Sequence, residues 1–158
     1  MLKIRDIKEN ELNILLDLIM DMASYEKLTK DVIASTSSLH KVIFETKRSE
    51  CALLEVEGKV VGYLMYFYNV SSFTGCANLY IEDIYIKPEF RHNGYGKECF
   101  IYLAKKAVKE GCKRIDWVCL DWNQKGLDFY KKMGASRLDM WVLHRLDEDG
   151  IKKLAGEE

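Results

Sequence analysis

Residues Leu2 to Ile7 alternate apolar and polar side chains, the period of a half-buried strand, and predict a first strand. From Glu9 to Met22 the period lengthens, placing Leu12, Leu15, Leu16, Ile19 and Met22 on one helical stripe. Residues Ala23 to Arg48 are less regular and predict one or two short helices forming a mobile flap. Cys51 to Val56 and Lys59 to Tyr68 are β-rich runs joined by the hairpin signal Glu57-Gly58. The loop Asn69 to Gly75 then feeds a strand over Asn78 to Ile86. Further on, Phe100, Leu103, Ala104, Ala107 and Val108 give a helix that Gly111 would stop in a left-handed cap. Arg114 to Leu120 reads as a strand, Asn123 caps a helix running to about Met133 and ended by Gly134, and Trp141 to Arg145 reads as a last strand. The tail from Asp147 reads as a short helix or a frayed end. Strand, helix, flap, three strands, helix, strand, helix, strand is the order of an α/β (α+β) fold, a mixed central sheet flanked by helices.

Composition narrows this further. The 158 residues, 48% hydrophobic and with a single proline, suffice for one core, so residues 1–158 are expected to form a single domain. With 24 basic and 25 acidic residues, there is no global positive field, so no nucleic-acid partner is expected. The charged, alternating start is unlike a signal peptide, and no apolar run spans a bilayer, which predicts a cytoplasmic protein without membrane association. Cys51, Cys76, Cys99, Cys112 and Cys119 form no Cys-x-x-Cys pair and read as reduced, mostly buried thiols, while His40, His92 and His144 show no ligand spacing. No metal is expected.

The candidate chemistry concentrates between Leu79 and Lys97. The run Leu79-Tyr80-Ile81-Glu82-Asp83-Ile84-Tyr85-Ile86 reads as a buried strand with two carboxylates, followed at once by Arg91-His92-Asn93-Gly94-Tyr95-Gly96 and a helix start. Glycines there let the backbone approach a ligand, and the N–H groups opening the helix favour a phosphate or pyrophosphate. A dinucleotide fingerprint would need glycine at Cys99; a Walker A loop would need glycine at Arg91 and Ser or Thr at Glu98. Both fail. What remains, Arg-x-x-Gly-x-Gly between strand and amphipathic helix, resembles the acetyl-coenzyme A signature of the GCN5-related N-acetyltransferase (GNAT) family, whose fold has the element order given above.

Acetylating an amine makes demands that can be set against these residues. A primary amine with a pKa of about 10 is protonated at neutral pH and cannot attack a thioester until a proton leaves. The departing thiolate in turn needs an acid. Glu82 and Asp83 are neighbours on a strand and would point to opposite faces unless the strand is bulged or opens at the sheet's edge. Tyr130 lies seven residues after Asn123, about two helical turns, so both fall on one side of their helix.

Leu120-Asp121-Trp122-Asn123 with Phe129-Tyr130-Lys131-Lys132-Met133-Gly134-Ala135 resembles the second conserved block of the GNAT family. Within that family it resembles the diamine branch of spermidine/spermine N-acetyltransferases and their thialysine-acetylating relatives. Tyr25-Glu26, Leu79-Tyr80-x-Glu82-Asp83 and Gly134-Ala135-Ser136 are similar to the same branch. The resemblance implies acetyl-coenzyme A as cofactor, Tyr130 as general acid to the thiolate and Glu82 as acceptor of the amine proton. It implies pantetheine on the backbone of Ile84, Tyr85 and Ile86. It places the pyrophosphate on His92, Asn93, Gly94, Tyr95, Gly96 and Lys97, with Arg91, Asn123 and Tyr130 also against the cofactor. Tyr25, Glu26, Glu82 and Asp83 would form an acidic mouth for a di- or polyamine such as spermidine, spermine or putrescine, with Trp141 as a wall; a homodimer is expected on the same analogy. The segment from Ser136 to Trp141 is shorter than in the animal enzymes and keeps only Asp139 of their acidic pair, and Phe73 stands near their tryptophan. Both differences touch the substrate. The alternatives are a thialysine- or lysine-like amino acid or a protein as acceptor, and, from another class, a non-catalytic acyl-coenzyme A binding module.

Overall fold

A computed structural model describes residues 1–157, which divide into two compact units, Met1–Val118 and the residues from Cys119 onward. In the first unit β1 (Leu2–Asp6), β2 (Glu50–Val56), β3 (Lys59–Ser71), β4 (Cys76–Ile86) and β5 (Ile115–Asp116) lie side by side in chain order. The first four pair antiparallel and β5 runs parallel to β4. Glu57 (φ 50°) and Gly58 (φ 77°) both take the left-handed region, the mirror-image turn whose twist matches that of the strands it joins. The parallel step needs a crossover, supplied by α3 (Tyr95–Lys109).

The sheet separates two apolar layers. On one face Ala52, Leu54, Leu64, Tyr66, Leu79 and Ile81 pack with Cys99 and Leu103 of α3. On the other, Cys51, Leu53, Tyr63, Met65 and Tyr85 pack with Leu12, Leu15 and Leu18 of α1 (Leu12–Glu26). Leu15 and Leu18 are fully buried, each contributing about 1.5–3 kcal/mol relative to exposure. Nothing in the sequence stops α1 at Met22. It runs on until Lys27 turns left-handed (φ 63°), which puts Tyr25 and Glu26 in the last turn.

The expected flap is packed down. After a 3-10 turn at Thr29–Asp31, Ser35 caps α2 (Thr36–His40), which continues as a π-helical turn over Lys41–Glu45, and Leu39 and Ile43 join the α1 layer. The hairpin also reaches further than expected, with the ladder extending to Ser71↔Cys76.

Two expected strands differ. Of Arg114 to Leu120 only Ile115–Asp116 pairs, opposite Leu79 and Tyr80, since an alternating run becomes a strand only where a neighbour accepts its backbone bonds. The approach to β5 is instead held by the buried Asn78, whose Oδ1 accepts from the backbone N–H groups of Lys113 (2.9 Å) and Arg114 (3.2 Å). Trp141 to Arg145 forms no strand among the described residues; a strand holds none of its own hydrogen bonds, and no ladder partner for it is found there. The second unit carries α4 (Gln124–Lys132), followed by left-handed Gly134 (φ 85°), and α5 (Glu148–Ala155), capped by Asp147.

Candidate active site

The ladder between β3 and β4 slips in one place. Met65 pairs with Asp83 and Tyr66 with Ile81, leaving Glu82 as the extra residue of a bulge. Alternation restarts there. Counting from Tyr80, whose ring lies 4.9 Å from that of Phe67, Glu82 falls on the α1 face of the sheet. Counting back from Tyr85, which packs in the α1 layer, Asp83 falls on the same face. The bulge thus meets the condition under which two neighbouring carboxylates can serve one site.

Their environments differ. Glu82 is exposed, whereas Asp83 is partly buried and accepts a hydrogen bond from the Tyr63 hydroxyl at 2.9 Å. Burial raises the Asp83 carboxyl from 3.8 to about 6 against the pull of that hydrogen bond, and the charges of Glu82 and Glu26 raise it further. Burial also raises Glu26, and the Tyr63 hydroxyl is driven far up by burial and by Asp83. Glu26, Glu82 and Asp83 therefore share one negative neighbourhood, and among the described residues no ion pair takes up any of the three.

Beyond Tyr80 no strand pairs with β4 on the β5 side within this unit, so the backbone of Ile84, Tyr85 and Ile86 runs along an open edge. Ile84 and Ile86 lean on the α3 layer, while Tyr85 is buried in the other. A 3-10 turn at Pro88–Phe90 then leads into the glycine segment. His92 (φ 66°) and Gly94 (φ 80°) both sit left-handed, and Gly94 is the N-cap of α3 without a side chain closing the helix start. The first-turn N–H groups consequently lack an intrahelical acceptor and a capping oxygen. A Cβ on Gly94 would meet nothing within 4 Å, so the space above the turn is open. A pyrophosphate fits this arrangement of donors.

Within that segment the side chains have separate tasks. Asn93 donates through Nδ2 to the carbonyls of Phe90 (3.1 Å) and Arg91 (3.2 Å), folding the turn on itself. Tyr95 packs against the α3 layer, whereas His92 and Lys97 are exposed. Arg91 donates from Nε to the Ile86 carbonyl at 2.8 Å and sets its guanidinium 4.6 Å from the centre of the Tyr25 ring. The structure thereby brings Tyr25, Glu26, Glu82, Asp83 and Ile84 to Lys97 into one unit.

Asn123, Tyr130 and Trp141 belong to the second unit. Asn123 caps α4, its Oδ1 accepting from the Gly126 N–H at 3.2 Å. Tyr130 lies in the middle of α4 with its ring 5.6 Å from that of Phe129, and Trp141 is exposed. Sequence reasoning missed Tyr63, because its meeting with Asp83 follows from a register visible only once the bulge is known. Arg91's contact with Tyr25 joins residues far apart in the chain and left no local signal.

The Acetyltransferase (GNAT) family profile matches residues 12–135, a stretch that runs through both units. A thialysine N-epsilon-acetyltransferase of Bos taurus is 36% identical over 166 residues, covering 98% of this chain and 97% of its own. A spermidine/spermine N(1)-acetyltransferase-like protein of Homo sapiens is 27% identical over 167 residues, 99% of this chain but 24% of its own length. Among solved structures, an integron cassette protein from the mobile metagenome of V. cholerae superposes with a TM-score of 0.81 at 23% identity, covering 98% of this chain and 97% of its own. The chain belongs to the GNAT family, in its diamine and thialysine branch. It is an acetyl-coenzyme A-dependent N-acetyltransferase.

Proposed function

We propose that this enzyme acetylates a primary amine of a small, flexible, multiply charged cation of the di- or polyamine class. The observation that carries the reading is the bulge at Glu82, which turns Glu82 and Asp83 to one face near Glu26. A dication or longer polyamine gains attraction and orientation from such a group, one charge held while the other nitrogen reacts. A lysine-like amino acid such as thialysine is the second reading, favoured by the name of the full-length bovine relative. Its carboxylate would need a cation beside the three acids, and the guanidinium of Arg91, stacked on Tyr25, is one that stands there. A protein acceptor, or a module that binds acyl-coenzyme A without turnover, has less support, since neither accounts for this grouping of carboxylates.

Acetyl-coenzyme A would supply the activated acetyl thioester. The backbone of Ile84, Tyr85 and Ile86 would hold the pantetheine arm, and the turn from His92 to Lys97 the pyrophosphate. Glu82, exposed on the bulge, would take a proton from the ammonium, directly or through water, so that nitrogen can form its bond to the acetyl carbon. Tyr130 would give its proton to the sulfur as the carbon–sulfur bond breaks and be reprotonated by the second proton that the nitrogen sheds on becoming an amide, the role implied by its place in the family's second block. Summed, an ammonium and a thioester become an amide and a thiol with one proton released. A homodimer is the working form we take from the same resemblance, and the cytoplasm the location we take from the charged, alternating first residues.

Release of coenzyme A thiol from acetyl-coenzyme A, measured against spermidine, spermine, putrescine, thialysine, lysine and a lysine peptide, tests the reading. Turnover is expected on the polyamines; a preference for thialysine moves the substrate to the second reading, and activity on the peptide alone overturns both. Tyr130→Phe is expected to lower kcat by about 100-fold or more with coenzyme A affinity retained. An unchanged rate removes Tyr130 from the chemistry. Glu82→Gln is expected to move the activity profile to higher pH, where the amine loses its proton unaided, and a profile that stays put removes the base assignment.

A further inference from the structure

Arg91 is the first residue of the glycine signature, and its side chain reaches the end of β4 and the last turn of α1. A guanidinium is a flat cation with five N–H donors in a fixed fork, suited to stacking on rings and to carbonyl oxygens alike. Here Nε donates to the carbonyl of Ile86, the last residue of β4, at 2.8 Å. The guanidinium carbon stands 4.6 Å from the centre of the Tyr25 ring and 5.7 Å from that of Tyr85. Three elements meet on this one side chain: the last turn of α1, the end of β4, and the turn that opens α3.

The two rings differ in exposure. Tyr85 is 4% exposed and fixed in the core, whereas Tyr25 is 40% exposed and precedes Glu26 at the end of α1. Arg91 is therefore bonded to the backbone of β4 on one side and stacks on a half-exposed ring at the end of α1 on the other. Immediately after it come His92 and Gly94, whose left-handed conformations shape the turn.

We propose that Arg91 is a positioning residue that couples the two halves of the site. Through its stack on Tyr25 and its bond to the Ile86 carbonyl it fixes the turn from His92 to Lys97 relative to the end of α1. Occupancy of the turn then orders Tyr25 and Glu26, and an amine at Tyr25 and Glu26 orders the turn. Such coupling is reciprocal by thermodynamic necessity. The inference rests on the cofactor and amine assignments made under Proposed function and adds a connection between them.

The test is a double-mutant cycle read in binding rather than turnover. Coenzyme A is titrated calorimetrically into the full chain as wild type, Tyr25→Leu, Arg91→Lys and the double variant, each first shown folded by its thermal melt. Tyr25 is assigned to the amine and stacks on Arg91, so an effect of its ring on coenzyme A affinity that travels through this stack disappears when Arg91 is replaced. Tyr25→Leu is expected to weaken coenzyme A binding about fivefold or more in the Arg91 background and less than about twofold in the Arg91→Lys background. Tyr25→Phe, which keeps the ring, is expected to restore wild-type affinity. Should Arg91→Lys fail to fold, Arg91→Gln takes its place. Equal weakening in both backgrounds, or none, overturns the coupling and leaves the cofactor assignment standing. No binding of coenzyme A to the wild type overturns that assignment and the coupling together.

Discussion

Asp83 shows how a single buried carboxyl can work against the fold. Its carboxyl is raised to about 6, above the value of about 3.9 expected in the unfolded chain, because burial outweighs the Tyr63 hydrogen bond. The folded protein thus keeps a proton that the unfolded chain releases between about pH 4 and pH 6, and stability falls as pH rises through that window. Above it the full penalty, up to about 3 kcal/mol, is present. Asp83→Asn removes the charge while its amide oxygen can still accept from Tyr63. The variant is expected to melt several degrees above wild type at pH 7.5, with the gain vanishing below about pH 4. It is also expected to raise KM for spermidine, since one member of the negative group is lost. Equal melting temperatures at both pH values would show that Asp83 ionises as freely in the fold as out of it.

At the scale of elements, the approach of β3 to β4 depends on Gly62. A Cβ there would lie 2.1 Å from the Tyr85 carbonyl oxygen, a backbone atom that cannot move without shifting the strand. Gly62→Ala is therefore expected to destabilise by about 3 kcal/mol or more, or to prevent folding, and any folded fraction should bind coenzyme A weakly because Tyr85 and Ile86 have moved. A melt within a degree or two of wild type would mean the strands separate freely. The sequence made the elements readable where a local rule sets them: the stripe of α1, the Glu57-Gly58 turn, the Asn123 cap and the stops at Gly111 and Gly134. It also stated the condition for Glu82 and Asp83 to act together, but not that the condition is met, because a bulge is a property of two paired strands. The short β5 and the missing strand over Trp141 to Arg145 escaped for the same reason, since alternation marks a sequence that can pair and says nothing of a neighbour. The place of Arg91 in the motif is local information and sets it beside the cofactor, whereas its stack on Tyr25 is not local.

On the whole molecule, 24 basic and 25 acidic residues nearly cancel, so the far field is weak, and under the proposed polyamine reading the attraction comes from the local group of Glu26, Glu82 and Asp83. Local attraction between charges reached from solvent is screened over about 8 Å at physiological salt and about 3 Å at 1 M. KM for spermidine is therefore expected to rise severalfold between about 0.02 and 0.5 M sodium chloride, and KM for hexylamine, which offers one charge, to rise much less. Glu26→Gln should flatten the spermidine curve without changing that of hexylamine, because Glu26 lies at the end of α1 and has no assigned part in moving the amine proton. Acetyl-coenzyme A must be held saturating throughout, since its own phosphates respond to salt. Parallel rises for the two amines would mean that the group does not count charges. Selection would then rest on the shape of the acceptor, and thialysine would become the better reading.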